Sequence, residues 1–231
     1  MAAAVQTERL HASLLSSISH DFRTPLSAII TSASSLRAFG DTFNVDTRAD
    51  LCATIQEEAE RLHRFVAKLL DITRLDADTL HPVQSKFDLV QVAEDVRVRL
   101  SSSAKQIELR MDGDDLIARG DPVLFEHALT NVVENALRFA NATPVFLEIK
   151  RDGNDIIARV IDHGVGVPAE ELEAIFERFY RASTNASPAR GYGLGLSITR
   201  GLIEAMGGRV SAQASEENSG LTMCIAMPAS S

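Results

Sequence analysis

Residues 8 to 80 carry two long apolar stripes, and these limit the fold more than any other feature of the chain. Leu10, Leu14, Ile18, Phe22, Leu26, Ile29, Ala33 and Leu36 step by three or four. Leu51, Ile55, Ala59, Leu62, Val66, Leu69, Ile72 and Leu75 repeat the pattern. Such spacing is the seam of a long amphipathic helix. Between the runs, Gly40-Asp41-Thr42-Phe43-Asn44 is turn material, and Asp46 or Thr47 is the expected cap of the second helix. The outcome is an antiparallel helical hairpin. Two helices alone cannot enclose two such stripes, so the pattern predicts a four-helix bundle made by two copies, a homodimer through residues 8–80.

Beyond His81-Pro82 the pattern changes, dividing the chain into residues 1–80 and 85–231. Phe87 to Leu100 reads as helix, 106–111 and 116–119 as short strands, and Pro122 to Ala140 as helix. A hairpin of 144–151 and 154–162 turns at Asp152-Gly153-Asn154. A short helix at 169–178, a polar glycine-containing stretch at 181–192, a helix at 194–206 and a last hairpin (209–215, 220–227) complete the chain. This alternation predicts an α/β sandwich with helices covering a mixed sheet.

Composition removes several classes of function. Lys and Arg total 23 against 32 Asp and Glu, a net charge of -9, and a surface this acidic repels a phosphate backbone. Nucleic acid is therefore not an expected partner. No apolar run approaches the ~20 residues that span a bilayer, so no membrane contact is expected of this segment. Cys52 and Cys224 are far apart and lack metal-ligand spacing, and both are expected to be buried thiols.

Candidate chemistry lies at four places. His20 falls about 180° from the apolar face of the first helix, hence toward water, with Asp21 beside it and Thr24 one turn on. Asp21 can hold one ring nitrogen and raise the nucleophilicity of the other, and Pro25 loosens the turn. Asn131 and Asn135 stack one turn apart on an otherwise apolar helix, and their amide oxygens suit Mg2+. Asp162-His163-Gly164-Val165-Gly166 ends a predicted strand, with glycines that permit a tight turn and an aspartate able to accept an amino proton. Gly191-Tyr192-Gly193-Leu194-Gly195 opens a helix, where backbone amides favour phosphate. It matches neither the Walker A loop nor the dinucleotide fingerprint.

Taken in order, these segments resemble one family. Ser19-His20-Asp21-Phe22-Arg23-Thr24-Pro25-Leu26, then NxxxNAxRF, DxGxG, Phe176-Glu177-Arg178-Phe179 and GxGLGL resemble the boxes of sensor histidine kinases of two-component systems. The likeness covers about residues 8 to 228. It implies a dimerisation and phosphotransfer domain followed by an ATPase domain of the gyrase, Hsp90, kinase and MutL type. It implies His20 as the phosphorylated nucleophile, Asp21 as its polarising base and Thr24 as the residue orienting water for dephosphorylation of a response regulator. Asn131 and Asn135 would serve Mg2+ and the phosphates of ATP, and Asp162 would read the adenine amino group. Gly164, Gly166, Gly191, Gly193 and Gly195 would shape the pocket, with Arg138, Phe179, Arg181 and Leu194 as further nucleotide contacts. Arg138 stands where the family usually has lysine, and His163 where asparagine is common. The expected lid, about 181–192, would carry Arg181 and Arg190 as candidate phosphate contacts.

The implied partner is a response-regulator receiver domain, and the implied place is the cytoplasm. The opening Met1-Ala2-Ala3-Ala4 also suits the cytoplasmic portion of a longer, membrane-bound sensor. Two other functions share parts of this pattern. An ATP-driven conformational ATPase would need the pocket but not His20 and Asp21, and a non-catalytic or phosphatase-only dimeric scaffold would need only the fold.

Overall fold

The computed structural model describes residues 22–77, 79–101, 106–140, 143–183, 192–214 and 220–230. By backbone contacts it divides into two units, Met1–Leu70 and Asp71–Ser231.

The first unit is the helical hairpin. Helix α1 is described over 22–39, and α2 runs from Val45 to Asp76. At the turn, the Gly40 amide donates to the Leu36 carbonyl, closing α1. The cap of α2 differs from the expected Asp46 or Thr47. Asn44 performs it, its Oδ1 accepting the Thr47 amide at 2.7 Å, because a capping oxygen must reach an unpaired amide about three residues on. Phe22 of α1 meets Phe65 of α2 edge to face, centroids 4.9 Å apart, and Phe65 is fully buried. Leu26 and Ile30 on α1, and Val66 and Leu70 on α2, remain between 40% and 56% exposed. Each helix thus carries an apolar pair at i, i+4 that the hairpin itself does not cover.

The second unit begins with the last turn of α2. Strand β1 (Ser85–Asp88) pairs antiparallel with β3 (Ile117–Gly120) in a small two-stranded sheet. The expected helix at Phe87 therefore starts two residues later, as α3 (Leu89–Leu100), where the Asp88 carboxylate caps the Val90 and Gln91 amides. Helix α4 (Pro122–Phe139) is entered the same way, with Asp121 accepting from Val123 and Leu124 and proline in the first turn. The main sheet contains β2 (Ile107–Asp112), β4 (Val145–Asp152), β5 (Asp155–Ile161), β6 (Arg209–Ala214) and β7 (Leu221–Pro228). Their order is β2-β4-β5-β7-β6, with β2 and β4 parallel and every other pair antiparallel, so the sheet is mixed as expected.

Alternation along these strands decides the layers. Val145, Leu147 and Ile149, Ile156, Ala158 and Val160, and Met223, Ile225 and Met227 are buried. They form the core with Ala93 and Val96 of α3, Phe125, Leu129 and Val132 of α4, and Ile198, Leu202 and Ile203 of α5 (Gly195–Ala205). Each fully buried large side chain contributes about 1.5–3 kcal/mol. On the other parity, Glu148 is shared between Arg110 (3.6 Å) and Arg159 (3.5 Å), a solvated charge ladder.

Two further expectations are corrected. The helix expected at 169–178 is two 3₁₀ turns, Ala169–Glu171 and Ala174–Phe176. Glu177 is extended and Phe179 takes a positive φ, so no continuous helix can pass through them. Neither cysteine is fully buried: Cys52 is exposed on α2 and Cys224 lies half-buried on the charged face of the sheet. Burial pushes the Cys224 thiol above its ordinary range, against the opposing pull of Arg159.

Candidate nucleotide site

Asp162 directly follows β5 as a buried carboxylate, 4% exposed. Its Oδ1 accepts two backbone N–H groups, from Gly164 at 2.9 Å and from Leu221 at 3.3 Å. Its own amide donates to the Leu221 carbonyl at 3.0 Å. Both hydrogen bonds that the described residues make to the carboxylate fall on Oδ1, which leaves Oδ2 to meet a further donor. Burial raises the carboxyl above the ordinary range, with the Gly164 and Leu221 amides and then His163 acting in the opposite direction. A buried, perturbed carboxylate with one oxygen uncommitted is a common mark of a binding site.

Glycines make this frame. A Cβ at Gly164 would run into the Phe139 carbonyl at the end of α4 and stand 2.9 Å from Asp162 Oδ1. A Cβ at Gly220 would strike the Asp162 carbonyl, and Gly220 itself lies at φ +116°. The carboxylate is therefore gripped between the Gly164 turn and the start of β7. Gly220 and Leu221 are site residues that the sequence reading missed. The only available signal was a glycine directly before a strand.

On α4, Asn131 is 5% exposed, and its Nδ2 has no hydrogen-bond partner among the described residues. An unmet buried donor costs about 1–3 kcal/mol, so such a group is kept where something else can satisfy it. Asn135, one turn on, is partly exposed, and Arg138 is exposed. Amide oxygens are the hard donors that Mg2+ accepts beside phosphate and water, so this pair fits the ion. Among the described residues no group of three or more His, Cys, Asp and Glu side chains could hold a metal.

Helix α5 begins at Gly195 after the buried Leu194, and no side chain among the described residues caps its first turn. Its amides are open to an anion. Thr199, fully buried, ties α5 to α4 by donating to the Ala128 carbonyl. Ahead of α5, Phe179 sits at φ +63°, unusual for a bulky side chain, and donates its amide to the Gly193 carbonyl at 2.9 Å. The Phe176 ring is covered by Arg200 at 4.1 Å, which also pairs with Glu173 at 2.7 Å. Ser183 donates its amide and hydroxyl to the Glu171 carboxylate at 3.0 and 2.6 Å, which holds that carboxyl below its ordinary range. Arg181 is exposed.

The structure thus gathers Asp162, Gly164 and Gly166 around the ends of β5, α4 and β7, and joins Phe179 to Gly193. The His163 and Phe146 rings meet in a T-shaped contact, centroids 5.6 Å apart. Thr24 is exposed on α1, in the other unit. His20, Asp21, Arg190 and Gly191 lie outside the described residues.

Comparison with known proteins agrees with both halves. Residues 11–78 match the His Kinase A (phospho-acceptor) domain. Residues 120–231 match the histidine kinase-, DNA gyrase B- and HSP90-like ATPase. The chain is 36% identical over 233 residues to the sensor protein KdpD of Mycobacterium tuberculosis, covering 98% of this chain and 27% of that protein. It is 30% identical to the sensor histidine kinase YclK of Bacillus subtilis, covering 96% of this chain and 47% of YclK. The chain therefore spans about a quarter to a half of the length of these curated relatives. Among solved structures, histidine kinase ThkA in complex with response regulator protein TrrA aligns with a TM-score of 0.74 at 21% identity, over 97% of this chain and 64% of that one. The histidine kinase AdeS of Acinetobacter baumannii aligns at 0.69 and 21%, over 92% and 98%. With a phospho-acceptor domain followed by this ATPase domain, the chain belongs to the sensor histidine kinases of two-component systems.

Proposed function

We propose that this chain is an ATP-dependent protein-histidine kinase that phosphorylates its own His20 and passes the phosphoryl group to an aspartate of a response-regulator receiver domain. The observation that carries the reading is the frame around Asp162: a buried carboxylate whose Oδ1 accepts two backbone N–H groups and whose Oδ2 has no partner among the described residues, in a chain that also has a phospho-acceptor domain. Oδ2 suits the amino group of adenine. The uncapped first turn of α5 and the Gly193-Leu194-Gly195 backbone suit phosphate oxygens, with Gly191, Arg138 and Arg181 adding contacts. Asn131 and Asn135 would hold Mg2+ beside the phosphates, where the ion would supply charge neutralisation.

Phosphoryl transfer depends on positioning and electrostatics more than on covalent machinery. In this reading Asp21 would hold one ring nitrogen of His20 and leave the other as the nucleophile. That nitrogen forms a bond to the γ-phosphorus as the bond to the bridging oxygen breaks. The receiver aspartate then takes the phosphoryl group from the imidazole. Thr24, exposed and four residues beyond His20 in the chain, would orient a water for a separate task, hydrolysis of the regulator's phosphoryl group. We infer that the work is done in the cytoplasm.

Incubation with γ-labelled ATP tests this reading. Label on the protein that survives alkali but not acid is the expected result. Free phosphate without labelled protein would instead mark an ATPase, and failure to bind nucleotide would mark a scaffold.

The kinase is proposed to act as a homodimer through residues 8–80. The half-exposed Leu26, Ile30, Val66 and Leu70 support this, since leaving them wet forfeits part of the ~1.5–3 kcal/mol each would gain on burial. Leu70→Asp should place charge in the seam and give monomers, whereas the parent chain sediments as a dimer at micromolar concentration. A parent that is monomeric at ~100 μM would refute the dimer.

A further inference from the structure

The second unit includes the last turn of α2, and that turn is held at three points. Asp71 lies 3.6 Å from His127 of α4. Leu75 occupies the space above Gly201 of α5, where an added Cβ would come within 2.7 Å of its Cδ1. Asp76 makes a two-armed pair with Arg178, Nη1 to Oδ2 at 2.7 Å and Nη2 to Oδ1. Ile72, on the same turn, is buried. Glycine inside a helix is unfavourable, so Gly201 needs a reason, and the seat of Leu75 provides it.

The Asp76–Arg178 pair is about half exposed on both sides, and a pair in that setting adds little to overall stability. Its position in the chain matters more. The residue after Arg178 is Phe179, held at φ +63° with its amide on the Gly193 carbonyl. A Cβ at Gly193 would lie 2.6 Å from the Tyr180 carbonyl, so residues 179–180 and 193 are in direct backbone apposition. A physical path therefore runs from the end of α2, through the Arg178 fork, to the glycine segment that opens α5.

We propose that Arg178 is a positioning residue for the nucleotide site: by pairing with Asp76 it fixes the Phe179 backbone against Gly193, so that nucleotide binding and docking of the last turn of α2 favour one another. This rests on the assignment of Gly193-Leu194-Gly195 to nucleotide. Linkage makes the effect reciprocal, so each event strengthens the other by the same factor.

The test uses the full chain and ADP, with and without Mg2+. Asp76→Asn and Arg178→Gln should each weaken ADP binding ~2- to 5-fold, and the double variant should be no weaker than either single. Arg178→Lys keeps the charge and loses the fork, so it should fall between. In the other direction, ADP should slow hydrogen exchange at the amides of Ala77 and Thr79, which donate to the Thr73 and Arg74 carbonyls. That protection should vanish in Arg178→Gln, which a merely structural role would not produce. If the parent binds ADP and the variants bind it equally well, or ADP leaves exchange at Ala77 and Thr79 unchanged, the proposal is overturned. A parent that binds no ADP overturns the nucleotide-site assignment and this proposal together.

Discussion

His20→Gln is expected to abolish phosphoryl incorporation from ATP while leaving nucleotide affinity within about twofold of the parent. His20 lies in the segment that matches the phospho-acceptor domain, whereas Asp162, Asn131 and the glycines lie in the segment that matches the ATPase. Glutamine keeps a polar side chain of similar length but offers no nucleophilic ring nitrogen, so transfer stops at the chemical step. Filter-bound label and ADP titration on the same preparation measure both properties. Labelled protein in the variant, carried at His11, His63 or another site, would disprove the assignment of His20.

The second large effect is expected at Asp162. Asp162→Asn keeps an Oδ1 to accept the Gly164 and Leu221 amides and turns an NH2 group toward the position of Oδ2. An adenine amino group would then meet a donor instead of a charged acceptor. ATP binding should weaken by roughly 1.5–3 kcal/mol, about 10- to 150-fold. Guanine presents a carbonyl where adenine presents its amino group, so the parent should bind GTP poorly and the variant should lose much of that preference. Equal affinities of the parent for ATP and GTP, by titration calorimetry, would refute the role given to Asp162.

The same substitution has a signed effect on stability. Burial raises the folded-state pKa of Asp162 above its unfolded value, so the folded chain holds this proton more tightly. Stability from this group is therefore present below the ordinary carboxylate range and is lost as pH rises through the raised folded value. Asparagine cannot ionise, so the nucleotide-free variant should lack that decline and melt no lower than the parent at neutral pH. Melting curves of both proteins across the acidic range would show it.

Much of this was legible in the residues, for reasons that vary from element to element. Asp121-Pro122 announces α4 because an aspartate cap and a first-turn proline satisfy local geometry. Asp152-Gly153-Asn154 announces the β4–β5 hairpin in the same local way. Strand β1 was hidden: four residues show no period, and its pairing with β3 is decided by the distant chain at Ile117–Gly120. The segment at 169–178 has helical composition, yet it forms two 3₁₀ turns and becomes extended at Glu177, just before Phe179 meets the Gly193 carbonyl. At the site, Asp162 and its glycines were visible as a strand-ending turn. The Leu221 amide that holds the carboxylate from 59 residues away was not, and neither was Arg178, whose partner lies 102 residues earlier. Local chemistry announces itself in sequence, while a contact set by the closed sheet does not.

The central claim is that this chain moves a phosphoryl group from ATP to one histidine. It is tested most directly by incubating the parent with Mg-ATP, digesting at neutral to alkaline pH, and fragmenting the peptide Leu10–Arg23 in a mass spectrometer. That peptide contains both His11 and His20, so fragmentation distinguishes them. The account predicts a gain of one phosphoryl group on the His20 imidazole, lost on brief acid treatment. Unmodified peptide from a protein shown to bind ATP in the same tube, or a phosphoryl group on any residue but His20, would contradict it.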